Sequence, residues 1–170
     1  MQTFLPFPDF KKSAKALDNK RLGKQRVEVL QILNTLKKGN KWANHPAVRM
    51  WKGHGCALAK YGNACLDEWK RRGFASNMKP LKGSDSCSMP SWFGRKDVHD
   101  SQKARLFQKD PGYYGRFARY AQGYTGYVWP VPIKPSKEIK VKVSYKGERY
   151  TFVFGSKGTV KVHPLFKVLR

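Results

Sequence analysis

Apolar positions recur at helical steps through the first 130 residues and alternate after that point. In the stretch LDNKRLGKQRVEVLQIL (17–33) and just beyond it, Leu22, Val29, Leu33 and Leu36 fall seven, four and three apart, which predicts a helix with one buried stripe. Ser13 or Asp18 is the expected N-cap and Gly39 the expected stop. A second, longer helix is expected to open at Pro46 in HPAVRMWKGHGCALAKYGNACLDEWKRRGF. Its apolar face is Trp51, His54, Leu58, Tyr61, Cys65 and Trp69, and Gly73 ends it. Gly53, Gly55 and Gly62 are poor helix residues, which close approach of another backbone would explain. A third helix is expected over 97–108, capped from Asp97 or Ser101, after a loop at 75–94. Pro6 and Pro8 make 1–12 an extended arm. Beyond Pro130, IKVKVSYKGERYTFVFGSKGTVKV alternates, with turn signals at 146–147 and 155–158, and predicts two or three antiparallel strands. The expected fold is mainly α: a compact core of about three helices with an extended N-terminal arm, spanning 1–130, plus a small basic β-rich extension at 131–170.

The opposite face of the first helix changes this picture. Arg21, Lys24, Gln25 and Glu28 lie three or four apart and share one strip, with Lys20 and Arg26 beside it. Acids are scarce: 35 Lys plus Arg stand against 11 Asp plus Glu in 170 residues, a net charge of +24. Such a surface raises a strong positive potential whose usual partner is DNA or RNA. With 40% hydrophobic residues the chain can build a core, so it is not a disordered basic tail. No apolar run approaches the ~20 residues of a spanning helix, and MQTFLPFPDF lacks a basic segment before its apolar residues, so neither a membrane partner nor a secretory leader is expected. Cys56, Cys65 and Cys87 read as reduced thiols of a cytoplasmic protein, since they are odd in number and lack a pairing pattern.

Candidate chemistry is sparse. The Cys and His spacings do not form a zinc site, so Cys56, Cys65 and His54 read as packed residues, and no carboxylate cluster suits a pair of metal ions. No metal and no cofactor are expected. The stretch PGYYGRFARYAQGYTGYVWP interleaves aromatic with basic residues. Some of these rings must close the core, while Tyr113, Tyr114 and Arg116 are candidates for stacking on bases and holding phosphates. Glu28 on its own could be no more than an i, i+4 ion pair with Lys24, worth a few tenths of a kcal/mol.

Three blocks carry a further meaning. Leu17, Leu22 and Glu28, then CLDEWKRRGF, then SQKARL with DPGYYGRF resemble, in order and spacing, the pyrimidine-dimer DNA glycosylases of the endonuclease V type. MQTFLP, RLGKQRVE and NHPAVRMW resemble a little-characterised branch of that family. The resemblance implies three helices around a buried N-terminal arm and a metal-free mechanism. An N-terminal α-amine attacks the sugar C1′, displaces the base and forms a Schiff base, and β-elimination then cuts the strand. Free α-amines titrate at ~7.7–8.0, so a sizeable fraction is neutral and nucleophilic near pH 7. Glu28 matches the family's glutamate, which stabilises the cationic sugar and moves protons. Gln2 is too bulky for usual removal of the initiator, so the implied nucleophile is the amine of Met1. Val27 and Gln31 stand where the phage enzymes carry arginines, and the 131–170 extension has no counterpart.

The resulting expectation is a DNA glycosylase with coupled abasic-site lyase activity on dimers or another damaged base. Met1 and Glu28 are its catalytic residues, and Lys20, Arg21, Lys24, Gln25, Arg26, Tyr113, Tyr114 and Arg116 are its DNA contacts. It is expected to be a monomer on double-stranded DNA in the cytoplasm of a bacterium or of a phage- or virus-infected cell. The alternative is a non-catalytic DNA-binding or RNA-binding module on the same fold.

Overall fold

The computed structural model describes residues 1–83 and 86–131, and beyond them the backbone of three strands. The chain divides into two compact units, Met1–Pro132 and Ile133–Arg170.

The first unit is helical, with five α-helices and one 3-10 helix among its described residues: α1 Phe10–Ala16, α2 Asn19–Lys38, α3 Pro46–Arg49, α4 Gly55–Arg71, α5 Lys96–Lys109, and the 3-10 helix Gly115–Gly123. The expected count of about three is too low because two expected helices are broken. Leu17 turns extended after α1, and Asp18 then caps α2 by accepting from the Arg21 N–H at 2.9 Å. Asp9, rather than Ser13, caps α1, while the Ser13 hydroxyl bonds back to Phe7. The second break lies at Gly53, whose φ of 82° is a left-handed conformation that ends the helical path between α3 and α4. The third helix opens one residue before Asp97, which pairs with Arg95, and neither Asp97 nor Ser101 is its N-cap.

The core lies chiefly where α2 crosses α4. Leu22, Val29 and Ile32 of α2 pack with Leu58, Tyr61 and Cys65 of α4, all fully buried. Gly62 permits this crossing. A Cβ there would stand 2.7 Å from a methyl of Val29 and 2.8 Å from one of Leu81, so the approach that excludes a larger residue comes from side chains, not from another backbone. Burial pushes the Cys65 thiol up to about 12.

The thiol reading needs correction. Cys56 and Cys87 form a disulfide, with Cα atoms 5.6 Å apart. The 75–94 loop folds back along α4 to meet it: the Asn63 amide donates to the Leu81 carbonyl at 2.9 Å and accepts from its N–H at 2.7 Å. Sequence spacing could not show this, because the two cysteines are 31 residues apart. The cytoplasmic reading thereby loses the support it took from free thiols.

In the second unit, β1 (Ile139–Tyr145), β2 (Glu148–Phe154) and β3 (Val160–Pro164) pair antiparallel in the order β1-β2-β3, with Val143 opposite Tyr150 and Phe152 opposite Val162. The turn signals at 146–147 and 155–158 fall outside the described residues.

Candidate active site

The N-terminal arm is buried. Residues 2–6 sit beneath the surface, and their backbone groups find partners on helices distant in sequence. Gln25 of α2 is the main one. Its Nε2 donates to the Gln2 carbonyl at 2.9 Å and its Oε1 accepts from the Phe4 N–H at 2.8 Å. The Tyr61 hydroxyl donates to the Phe4 carbonyl at 2.7 Å and lies 2.9 Å from Gln25 Oε1, which shares its single proton. Trp51 Nε1 donates to Thr3 Oγ1, and the Gln2 amide donates to Gln102 of α5. His99 bonds Leu5 O through Nδ1 at 2.7 Å and Gly94 N through Nε2 at 3.1 Å. Since Nε2 must accept from that N–H, the ring is the neutral Nδ1–H tautomer. Burial holds its pKa below the usual histidine value.

The arm delivers the chain's first residues to Glu28. This side chain is 6% exposed, and its Oε2 accepts from the Gln2 N–H at 3.0 Å and from Gln25 Nε2 at 3.1 Å. The Lys24 ammonium stands 3.6 Å from Oε1 and is itself well exposed. The two N–H donors on Oε2 leave Oε1 facing Lys24. The nitrogen at the carboxylate therefore belongs to residue 2. Met1 continues past it to the edge of an open depression of about 420 Å³, lined by Met1, Gln31, Asn34, Thr35, Asn40 and Trp42.

Other expected contact residues scatter. Lys20 and Lys24 project from α2 into solvent, and Tyr113 and Arg116 are exposed beside the start of that helix. The Arg116 guanidinium binds the Ala16 carbonyl at 2.9 Å, and the Tyr113 hydroxyl donates to Leu17 O at 3.3 Å. Arg21 is half-buried, pairs with Asp18 at 2.5 Å and lies over the Tyr114 ring. Arg26 turns away from Glu28, covers Trp69 with its guanidinium 4.1 Å from the ring centre, and donates to Ser76. Gln25 and Tyr114 are fully buried, and their polar atoms are occupied inside the fold. The Tyr114 hydroxyl donates to the Asp18 carboxylate and accepts from the Asp18 N–H.

Four residues at the site were missed in the sequence. His45 caps α3, its Nδ1 accepting from the Ala47 N–H at 3.1 Å. Burial and the Met1 amine lower its pKa, and Glu28 opposes them. Lys109 also has a lowered pKa, through burial and the cations Arg105, Arg21 and Lys24, with Glu28 again opposing. Trp42 and Tyr127 complete the set, Tyr127 packing on Phe4 and Trp129. Of these, His45 had a signal in the NHP motif and Tyr127 lay in the aromatic stretch 111–130, but neither role was legible there.

With this geometry in place, one comparison with known families bears on the site. Residues 1–80 match the family model of the pyrimidine dimer DNA glycosylases. No curated protein and no solved structure matches the chain. The match, over less than half of the chain, supports the resemblance to these glycosylases. The glycosylase-matched segment contains the arm, Glu28, α1 to α4 and the CLDEWKRRGF block, while DPGYYGRF lies beyond it. Among the described residues, no helix is long and apolar enough to cross a membrane, and no three His, Cys, Asp or Glu side chains gather as metal ligands.

Proposed function

We propose that this protein is a DNA glycosylase with coupled abasic-site lyase activity, in which an N-terminal amine and Glu28 do the chemistry. The observation that carries the reading is the nearly buried Glu28 carboxylate bound to the backbone nitrogen of residue 2, at the point where the arm ends on a basic helix. The amine attacks C1′ of the target nucleotide, the C1′–N bond breaks, and the base departs with that electron pair and takes up a proton. The attached nitrogen then gives up a proton and forms the C1′=N double bond as the C1′–O4′ bond breaks; O4′ keeps that electron pair and takes up a proton, and the iminium retains one N–H. Removal of a C2′ proton then expels the 3′ phosphate oxygen and cuts the strand. An anionic Glu28 favours the cationic sugar and can carry the C2′ proton.

Met1 is the nucleophile of the chain as it stands. A second reading is favoured by the 3.0 Å contact: if Met1 is removed, the Gln2 nitrogen itself becomes the α-amine, already seated on Glu28. Lys20, Lys24, Arg116 and Tyr113 grip double-stranded DNA. The 1–130 region is the catalytic domain and the 131–170 region, with ten Lys or Arg against Glu138 and Glu148, is a β-rich extension that adds grip.

The test is incubation with a duplex bearing one abasic site or one thymine dimer, quenched with borohydride. A covalent adduct on the peptide carrying Met1 or Gln2 upholds the proposal and chooses between the two amines. An adduct on Lys109, Lys20 or Lys24 overturns the amine assignment. Tight binding with no adduct leaves the non-catalytic module as the function.

A further inference from the structure

We propose that one face of the C-terminal sheet is a second nucleic-acid contact, which follows the phosphates of duplex DNA without reading its sequence. The inference rests on the reading of this protein as an enzyme of double-stranded DNA and gives its added grip a definite surface.

Pairing register sorts the strand residues into two sets. Opposite residues of an antiparallel ladder share a face, and so do residues two apart along one strand. Lys140 is opposite Val153, which is opposite Lys161. Lys142 is opposite Thr151, which is opposite His163, and Ser144 is opposite Arg149. These rungs alternate with Ile139–Phe154–Val160, Val141–Phe152–Val162 and Val143–Tyr150–Pro164. One face is therefore basic and the other apolar. The apolar set has the β-branched and aromatic composition of a packed side, which a sheet of three strands needs for stability. The basic face is then the one available to a partner.

Two simpler accounts fit less well. Lysines on edge strands discourage pairing with another chain, and β1 and β3 are the edges. Arg149, however, belongs to the central strand, and every rung of the basic face carries a cation. A face that is merely solvated mixes both signs of charge. Residues 133–170 hold ten Lys or Arg against Glu138 and Glu148. Glu148 is opposite Tyr145, in the apolar set, and Glu138 lies ahead of β1, so no acid of the strands falls on the basic face. Rungs of one face are two steps of ~3.3 Å apart, so three rungs carry positive charge over about 13 Å. Such a row suits a polyphosphate.

The segregation of the two sets also chooses between kinds of nucleic acid. Proteins that hold unpaired strands put aromatic and basic residues on one surface, so that bases stack while phosphates are neutralised. Here Tyr150, Phe152 and Phe154 belong to the apolar set and the cations to the other. A surface with charge and no rings engages backbone alone, and duplex DNA presents one phosphate per ~1.7 Å of its axis. Both units belong to one chain, so a duplex held by one meets the other at a raised local concentration.

The experiment footprints lysines on the full chain. The protein is treated with an amine-acetylating reagent, free and with an undamaged DNA duplex, and labelling is read by peptide mass spectrometry. The duplex is expected to lower labelling of Lys140, Lys142 and Lys161 several-fold and to spare Lys157 and Lys167, which lie in the same unit outside the strands. Single-stranded DNA of the same length should protect the strand lysines much less. Equal protection of both groups, no protection, or stronger protection by a single strand or by an RNA duplex overturns the inference. A charge series gives a second reading. Lys140→Gln with Lys142→Gln and Lys161→Gln should reduce the slope of log K against log salt by about 2.7, three contacts at ~0.9 each. The same three positions changed to Arg should keep the slope. An equal loss in the Arg variant shows that these lysines serve the sheet itself and rejects the contact. Borohydride trapping at an abasic site runs in parallel: lysine protection without an adduct upholds the surface and rejects the amine chemistry, and an adduct without protection rejects the surface alone.

Discussion

Replacing Gln25 by Leu separates a residue that holds the arm from one that touches DNA. The Leu side chain is close in volume and leaves no void, so the change removes polar contacts. Phe4 N–H loses its acceptor at 2.8 Å and the Gln2 carbonyl loses its donor at 2.9 Å. Both groups are buried, and an orphaned buried group costs ~1–3 kcal/mol. Glu28 keeps the Gln2 N–H, and the Tyr61 hydroxyl keeps the Phe4 carbonyl. Two orphans give about 2–6 kcal/mol, and the added apolar burial offsets part of that, leaving a loss of about 3 kcal/mol. This is a large share of the ~5–15 kcal/mol that stabilises an ordinary domain. Urea unfolding followed by tryptophan fluorescence should show the lower midpoint, and borohydride trapping should fall as the arm loosens. DNA affinity per folded molecule should hold. Unfolding within ~0.5 kcal/mol of the parent, together with weaker DNA binding, would show that Gln25 faces the nucleic acid and would refute the buried arm.

Four further outcomes follow from the same geometry. Glu28→Gln should abolish strand cleavage with DNA binding nearly intact, and full lyase activity in gel assays would reject Glu28. Reducing the Cys56–Cys87 bridge should lower stability by about 3–4 kcal/mol, the loop-entropy value for a separation of 31 residues, measured by urea unfolding with and without dithiothreitol. His99 is held neutral, its folded pKa below the unfolded value, so its contribution is complete above pH ~6.5 and is lost as pH falls below that; His45 acts in the same direction. Thermal melts from pH 7.5 to 5 should track this, and His99→Gln should flatten the slope. Truncation at Pro130 should weaken DNA binding and leave trapping on saturating DNA unchanged. The slope of log K against log salt should fall by nearly one for each phosphate that the shortened chain no longer neutralises.

What was legible in the sequence is what neighbouring residues decide among themselves. The helical spacing of Leu22, Val29, Leu33 and Leu36, the Asp18 cap and the Gly39 stop define α2 locally, although packing buries Ile32 fully and leaves Leu33 and Leu36 only partly covered, and that spacing alone places Glu28 on the strip with Arg21, Lys24 and Gln25. The charge balance pointed to nucleic acid because it needs no geometry. Which way that strip faces was not local information. The arm covers it through bonds between residues 21 to 26 apart, so Gln25, which reads as a surface amide by its class, became the clamp of the site. The same holds for the bridge between Cys56 and Cys87 and for the Tyr114 hydroxyl on Asp18, which joins positions 96 apart. Trp42 sits in a polar run with no period to mark it, and only the folded turn shows an indole held open beside Met1. Periodicity and capping arise from contacts within a turn or two of chain, whereas burial, pairing and the line-up of an amine with a carboxylate depend on which distant segments share a volume, and packing alone decides that.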